Sequence, residues 1–519
     1  MRLYKLKIRA IISLLCTVVI DAASPVQMVL PVSQGPVLTQ DLLGAKAFSP
    51  NLKYYRYEGI RTLFEKPQDP FLPDQWYFHN TGQEDSTGSQ GVPAADIKLF
   101  PALEIYVPRQ AITLAVIDSG IDLLHEDIDN EILWVNDGEI GLDDNGNDRS
   151  SNGLDDDGNG YVDDIHGWNM VKNIHDIQDR HYHGTHVSGL IGATANNNIG
   201  MTGGFNSIKL MFIKIFDLGG TATRPQIAKA IRYACDNGAK IINASWGSGY
   251  ESDDIRFAIE HCSLKGVLFV GAAGNSRKNM DLDPDYPSAY DINNQIVVSA
   301  TDNQDRPATF SNFGSMVDIA APGSYVLSLL PNNRYRSFSG TSQAAPMVAG
   351  ALALLWSQEP WLTVSEIKQR LIYSADQRYS LKRWVSSASR LNIYNLLANK
   401  KGERITASTN LLWQEKPYRL ESPHPYRYDM DNTYTIEIPE ATHIKLHFER
   451  FELSKHNDTL TISTESGNVI EHLNSHLPAF WTEAIPGNKV LVRLLTNNKV
   501  NDWGFKINKI KYSVDTSNQ

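Results

Sequence analysis

The sequence predicts an α/β protein with a doubly wound, mainly parallel sheet, followed by a small all-β sandwich. Three observations carry this expectation. Nearly continuous Val/Ile-rich runs at 112–118, 209–216, 240–246, 267–274 and 296–301 read as strands buried on both faces. Helix-like periods at 226–237 and 253–265 lie between them, and repeated strand–helix–strand units favour parallel crossovers. After about residue 405 the runs become short and alternating, at 434–438, 444–448, 459–463, 490–495 and 506–512. Asn, Gly and Pro separate them, as in a sandwich.

The elements follow in order. Arg2, Lys5, Lys7 and Arg9 precede an apolar run over 10–20, and Ala22 and Ala23 offer small residues for cleavage. A signal peptide is expected over 1–23, with an uncleaved membrane anchor as the alternative. Cys16 lacks the small residues that a lipidation site needs before it. Residues 24–66 are irregular and contain Pro, so a propeptide or linker is expected there, with the mature chain starting between Thr62 and Asp74. The α/β domain is expected over 67–400, with long helices at 341–358 and 364–375, and the β domain over 405–515. A length of 519 residues allows about two to four domains.

The composition is that of a globular chain, 42% apolar and 21% charged. No stretch after the first is long and apolar enough for a membrane span. The net charge of −11 makes nucleic acid an unexpected partner. Much of the acidity is local, near 143–164. Cys235 and Cys262 remain after signal removal, each in a helix-like segment before a strand. Two cysteines make no disulfide framework, and packed free thiols are favoured over a bridge.

Three short motifs sit where strands end or helices begin. Ala115-Val116-Ile117-Asp118-Ser119-Gly120 ends a buried strand with an Asp that can orient an imidazole. His183-Gly184-Thr185-His186 opens a helix and offers a general base; the zincin Glu is missing from this pair. Gly340-Thr341-Ser342-Gln343 places a hydroxyl near a helix N-terminus, where N–H groups can receive an oxyanion. A fourth, Ala272-Ala273-Gly274-Asn275, adds an amide donor just past a strand. Each alone is weak; together, in the order Asp, His, Ser, they are specific.

From about Asp69 to Asn392 the chain resembles the subtilase family of serine peptidases. The resemblance implies a secreted endopeptidase with Asp118 as orienter, His183 as general base and acid, Ser342 as nucleophile and Asn275 as oxyanion donor. It also implies a subtilisin-like fold. Tyr182 stands where the family usually has Gly, and Gln343 where Met is commonest. The implied cleft is lined by Ser245, Trp246 and Gly247 and by Ala272, Ala273 and Gly274. A peptide would pair with such edges as an added strand. Small residues leave room for an apolar P1 side chain, with Trp246 as its wall.

Calcium is the expected cofactor. Asp155, Asp157, Asn159, Tyr161, Asp163 and Asp164 fit the start of a calcium-loop pattern, but His166 stands where its closing Glu belongs. Asp143 and Asn145 begin a weaker echo. The resemblance implies a second site at Asp69, Asp127 and Asn197, completed by the carbonyls of Ala195, Ile199 and Met201. Residues 405–515 resemble CUB-like domains through 448–453, 458–460 and 504–505. Such domains often hold calcium with three acids; Glu452 and Asp458 match, but Asn497 takes the third place.

The expected partners are protein or peptide substrates, with the chain a monomer. The expected location is extracellular, with periplasm or cell surface as alternatives. The rival reading is a binding protein that uses its β domain and keeps the peptidase fold as a scaffold. A sugar hydrolase finds no paired-carboxylate site distinct from the acidic loops.

Overall fold

Apolar β-branched runs become the strands of a central sheet. A computed structural model describes residues 66–514, apart from 206, 405–411, 455–457, 468, 475 and 499. The signal peptide expected over 1–23 and the propeptide or linker over 24–66 lie outside the described residues, save Lys66. The strands are β1 (Ile112–Asp118), β2 (Gly167–Asn169), β3 (Ile208–Lys214), β4 (Ile241–Ala244), β5 (Leu268–Ala272), β6 (Gln295–Thr301) and β7 (Ile319–Pro322). A hairpin, β8 (Val326–Leu330) and β9 (Arg334–Phe338), and two short strands, β10 (Asp376–Gln377) and β11 (Ser389–Arg390), follow. Among the described residues the sheet order is β10-β11-β7-β6-β5-β4-β1-β3-β2. Its pairs are parallel except β10 with β11.

Burial on both faces explains the runs. In β1, Ile112, Leu114 and Val116 join one apolar cluster, while Ala115 and Ile117 join the other. The helices that cover the faces are α1 (His183–Gly192), α2 (Arg224–Asp236), α3 (Asp253–Leu264), α4 (Thr341–Gln358) and α5 (Val364–Ser374). A capping box of Thr223 and Gln226 starts α2. Helix α4 is buried from Thr341 to Ser357 and packs on β1, β4, β5, β6 and β7. A helix apolar all round must lie inside the fold. The strand order reverses beside β1, and in open parallel sheets ligands bind at the carboxyl ends beside such a reversal.

The cysteines correct the expectation of free thiols. Cys235 and Cys262 form a disulfide between the last turns of α2 and α3, with their Cα atoms 5.5 Å apart. The pairing depends on how these helices lie side by side, which spacing in the chain does not reveal.

The β domain holds two antiparallel sheets. One runs through Trp413–Glu421, Gly504–Val514 and Ala441–Glu452; the other orders Asp431–Glu437, Lys489–Leu495, Thr459–Thr464 and Val469–Leu473. Phe448, Phe451, Leu460, Ile462, Val492 and Phe505 fill the space between them. The domain seats on the α/β unit through Lys382–Glu483 at 2.6 Å and through Arg383, which donates to the Trp481 carbonyl at 3.1 Å. Arg277 donates to the Asp458 carbonyl at 3.1 Å. Among the described residues, no helix is long and apolar enough to cross a membrane.

Candidate active site

Asp118 ends β1 and is fully buried. His183 is the first residue of α1, and its Nδ1 bonds both Asp118 oxygens, at 2.9 and 3.0 Å. Burial works against the charged imidazole, but the Asp118 carboxylate outweighs it by charge and hydrogen bond. The His183 pKa therefore lies above the usual histidine value. Two groups seat this pair. Ser119 Oγ accepts the Gly184 N–H at 2.8 Å. Asp179 accepts from Ser119 Oγ, from the N–H groups of His181, Tyr182 and Thr185, and from Thr185 Oγ1, all between 2.7 and 3.0 Å. The sequence reading missed Asp179. Its signal is an acid four residues before a helix-opening His.

Ser342 is the second residue of α4, so its N–H has no partner within the helix. Its Oγ donates to the Ser245 carbonyl at 2.9 Å, and Ser245 Oγ donates back to the Ser342 carbonyl at 2.9 Å. No hydrogen bond joins Ser342 to His183 among the described residues. Asn275 Oδ1 accepts the N–H of Thr341 at 2.8 Å and its hydroxyl at 3.0 Å. That orientation commits the oxygen inward and leaves the amide nitrogen as a donor. Two donors and a hydroxyl at one strand edge can stabilise a tetrahedral adduct.

The two departures have local consequences. Tyr182 has φ of 115°, a region that glycine enters freely and a bulky side chain does not. Its ring stacks on His181 at 4.3 Å and leans on Phe338 at 5.4 Å. Gln343 Nε2 reaches His186 Nδ1 at 3.3 Å, while His186 Nε2 bonds the Arg336 carbonyl at 3.0 Å. Burial pushes His186 down to about 3, so it is neutral and carries its proton on Nε2.

Of the cleft segments, Ser245 touches Ser342 directly. Trp246 is half-buried against the core beside α2 and α3, and its indole N–H donates to the Ile117 carbonyl at 2.8 Å. Gly247 and Gly274 flank Asp285. Ala272 and Ala273 are buried at the end of β5 and just beyond it.

The acidic residues form two groups. Asp69 and Asp127 are buried, with no ion pair among the described residues. Asp127 accepts from Asn197 Nδ2 at 2.8 Å and from the Met201 N–H at 2.9 Å; Asp69 accepts the Asn196 N–H at 2.9 Å. Ala195 and Ile199 lie in the same loop. Burial, helped by Asp69, pushes Asp127 up to about 7 against the pull of these hydrogen bonds.

In the second group Asp157 and Asp164 join Glu139, which the sequence reading missed, within reach of a single ion. Glu139 is fully buried, and its Oε2 has no hydrogen-bond partner among the described residues. Asn159 bonds Asp157 and Asp164. Tyr161 packs on Tyr233 beside them. Asp155 turns its oxygens to the N–H groups of Gly158, Asn159 and Gly160, and Asp163 to that of Gly153. Asp143 accepts from Asn145 and Asn147 within its own turn. In the β domain Asp458 is fully buried and accepts from Tyr426 at 2.6 Å and from the Asn497 N–H at 2.8 Å. Glu452 instead pairs with Arg450 at 2.7 Å.

Residues 109–403 match the subtilase family, and residues 414–509 match the CUB domain. The chain belongs to the subtilase family. A relative is the thermophilic serine proteinase of Bacillus sp. (strain AK1), 34% identical over 282 residues, which are 54% of this chain and 60% of that protein. Another is thermitase of Thermoactinomyces vulgaris, 37% identical over 41% of this chain and 74% of thermitase. The matched part thus spans less than two thirds of the first relative's length. A protease structure from Pseudoalteromonas arctica superposes with a TM-score of 0.50 at 23% identity, covering 64% of this chain and 99% of that one. It shares the fold of this subtilase.

Asp179→Asn removes the charge that gathers five donors at the head of α1. It is expected to cost about 2–3 kcal/mol of unfolding free energy, since hydrogen bonds to a charged acceptor are the strong ones. Urea denaturation measures this, and an unchanged midpoint would speak against a positioning role.

Proposed function

We propose that this chain is an exported, calcium-stabilised serine endopeptidase that acts on proteins or peptides through Asp118, His183 and Ser342. The observation that carries the reading is the Asp118–His183 pair at 2.9 Å, set at a strand edge with Ser342 and Asn275 in a subtilase chain. Ser342 Oγ leaves the Ser245 carbonyl, turning about one side-chain torsion. It adds to the substrate carbonyl carbon as its proton passes to His183 Nε2. The oxyanion takes the Ser342 N–H and the Asn275 amide. His183 then protonates the leaving amine, the acyl-enzyme forms, and water repeats the sequence. Asp118 stabilises the imidazolium at each stage.

Export is supported by the basic and apolar first residues and by the Cys235–Cys262 bridge, a bond that persists in oxidising compartments. Asp69, Asp127 and Asn197 would hold one cation, and Glu139, Asp157 and Asp164 another. These carboxylates, buried except that of Asp157, have no ion pair among the described residues, and with the orphan Glu139 Oε2 they fit hard-oxygen ligation. Calcium supplies charge neutralisation to these loops. No step of the reaction passes through it.

Ser342→Ala is expected to lower turnover of casein by about 10⁶ while the protein stays folded. A purified variant that cleaves at the wild-type rate would end the assignment.

The pH profile follows from His183. The neutral ring is the base, and its folded pKa is raised, so turnover is present above that pKa and lost as pH falls through it. The acid limb of kcat/KM should therefore lie above the ordinary histidine value of about 6.5. A limb well below it would contradict the Asp118 pairing.

Chelation should lower the melting temperature and speed autolysis while initial turnover persists. A hundredfold excess of calcium over its Kd adds about 2.7 kcal/mol to stability. Immediate loss of turnover with an unchanged melting temperature would mean that the metal takes part in catalysis.

A further inference from the structure

The segments that the family resemblance implies line the cleft hold a carboxylate that the proposed reaction does not use. Asp285 lies between the two segments that leave β4 and β5. A Cβ placed on Gly274 would sit 2.7 Å from Asp285 Oδ2, and one placed on Gly247 would sit 3.5 Å from Oδ1. Both segments hold it in place. The residue after it, Tyr286, exchanges backbone hydrogen bonds with Ser248 at 2.7 Å in each direction. On the other side Asn312 donates to Asp285 Oδ2 at 3.3 Å and to the Ala273 carbonyl at 2.8 Å. The Asp285 carboxylate is thus packed between the two segments, against Gly274, the residue before Asn275.

Its electrostatics are incomplete. Asp285 Oδ1 is buried and has no hydrogen-bond partner among the described residues. No ion pair reaches Asp285 among them either. Lys278, whose charge does reach it, is paired with Asp283 at 3.0 Å. Burial raises the Asp285 pKa despite Lys278 and Asn312. A half-buried acid with an idle, shielded oxygen is costly unless a cation or donor reaches it.

We propose that Asp285 determines specificity, making this subtilase prefer substrates with a cationic P1 side chain, arginine or lysine. The proposal rests on the peptidase reading above, which places the P1 carbonyl at Ser342 and Asn275. The P1 side chain then enters between Ser245–Gly247 and Ala272–Gly274, where Asp285 lies. A guanidinium can offer two N–H donors to the carboxylate and an ammonium one strong charge. The apolar P1 residue expected from Trp246 is displaced as the preferred ligand, because that ring packs on the core and its N–H is bonded to Ile117.

The test uses the full secreted chain and peptide substrates that differ only at P1, with Arg, Lys, Phe, Leu or Glu. A fluorophosphonate counts the active sites. Arg and Lys substrates should exceed Phe and Leu in kcat/KM by about 100-fold, the scale of a desolvated charge pair. Asp285→Asn should remove most of that advantage, lowering kcat/KM for Arg and Lys far more than for Phe and Leu. Asp285→Glu should keep the basic preference, which separates a charge effect from a folding effect. Fully labelled wild-type enzyme that prefers Phe or Leu overturns the proposal. So does an Asp285→Asn loss that is equal for Arg and Phe. A chain that neither labels nor cleaves any substrate overturns the peptidase reading itself.

Discussion

A Cβ on Gly184 would lie 2.2 Å from the Gly120 carbonyl oxygen, and the site depends on that backbone approach. Gly120 follows the end of β1, and Gly184 is in the first turn of α1. No side chain fits between them, so the helix head rests directly on the strand exit. Only then can Asp118, two residues before Gly120, reach His183, the residue before Gly184. Polar groups reinforce the contact from both sides. Ser119 Oγ accepts from Gly184, and Lys214 Nζ donates to the Ser119 carbonyl at 2.6 Å. Close packing therefore sets the geometry, and the Asp118–His183 hydrogen bonds profit from it.

The same edge gathers several buried charges. Asp118, Asp179 and Lys214 are all nearly or fully excluded from water. Burial draws the Lys214 pKa down, while Asp179, Asp217 and Asp176 resist. Asp179 spends its charge on N–H and O–H donors rather than on a cation. A buried carboxylate satisfied this way keeps its neighbours fixed, because each donor loses a strong acceptor if it moves. His183 is thus oriented by Asp118 and its helix is anchored by Asp179, two carboxylates with different tasks.

Much of this could be read from the sequence, for a physical reason. Strands buried on both faces leave continuous Val/Ile runs, and a helix inside the core leaves the apolar stretch of Thr341–Gln358. Asp118, His183, Ser342 and Asn275 sit at the ends of such elements, where position and chemistry coincide. Glu139, Asp285 and the Cys235–Cys262 pairing could not be read this way. Glu139 meets Asp157 and Asp164 only after the loop folds back, and Asp285 meets Gly247 and Gly274 only across the sheet edge. Trp246 reads as a pocket wall beside a small-residue segment; what the sequence does not show is that its indole N–H is held by the Ile117 carbonyl at the neighbouring strand.

The seat of the β domain bears on the same edge. Residues 273–277 run from the end of β5 past Asn275 to Arg277, whose guanidinium is buried against the Asp458 carbonyl. Burial draws the Arg277 pKa down to about 10, and the Asp458 charge opposes this. Nearby, burial lowers His472 to about 3, helped by Arg306 and Arg277, so that ring adds no charge. Arg383 lies over the Phe480 ring at 4.4 Å and Lys382 on Glu483 at 2.6 Å, so the seat is built from cations of the α/β unit. A buried guanidinium is costly to leave unpaired, so Arg277 ties residue 277 to the β domain. Asn275 is two residues away and anchored on Thr341. Any shift between the domains therefore loads the short chain between those anchors, and the CUB domain's seat and the candidate oxyanion donor share one stretch of backbone.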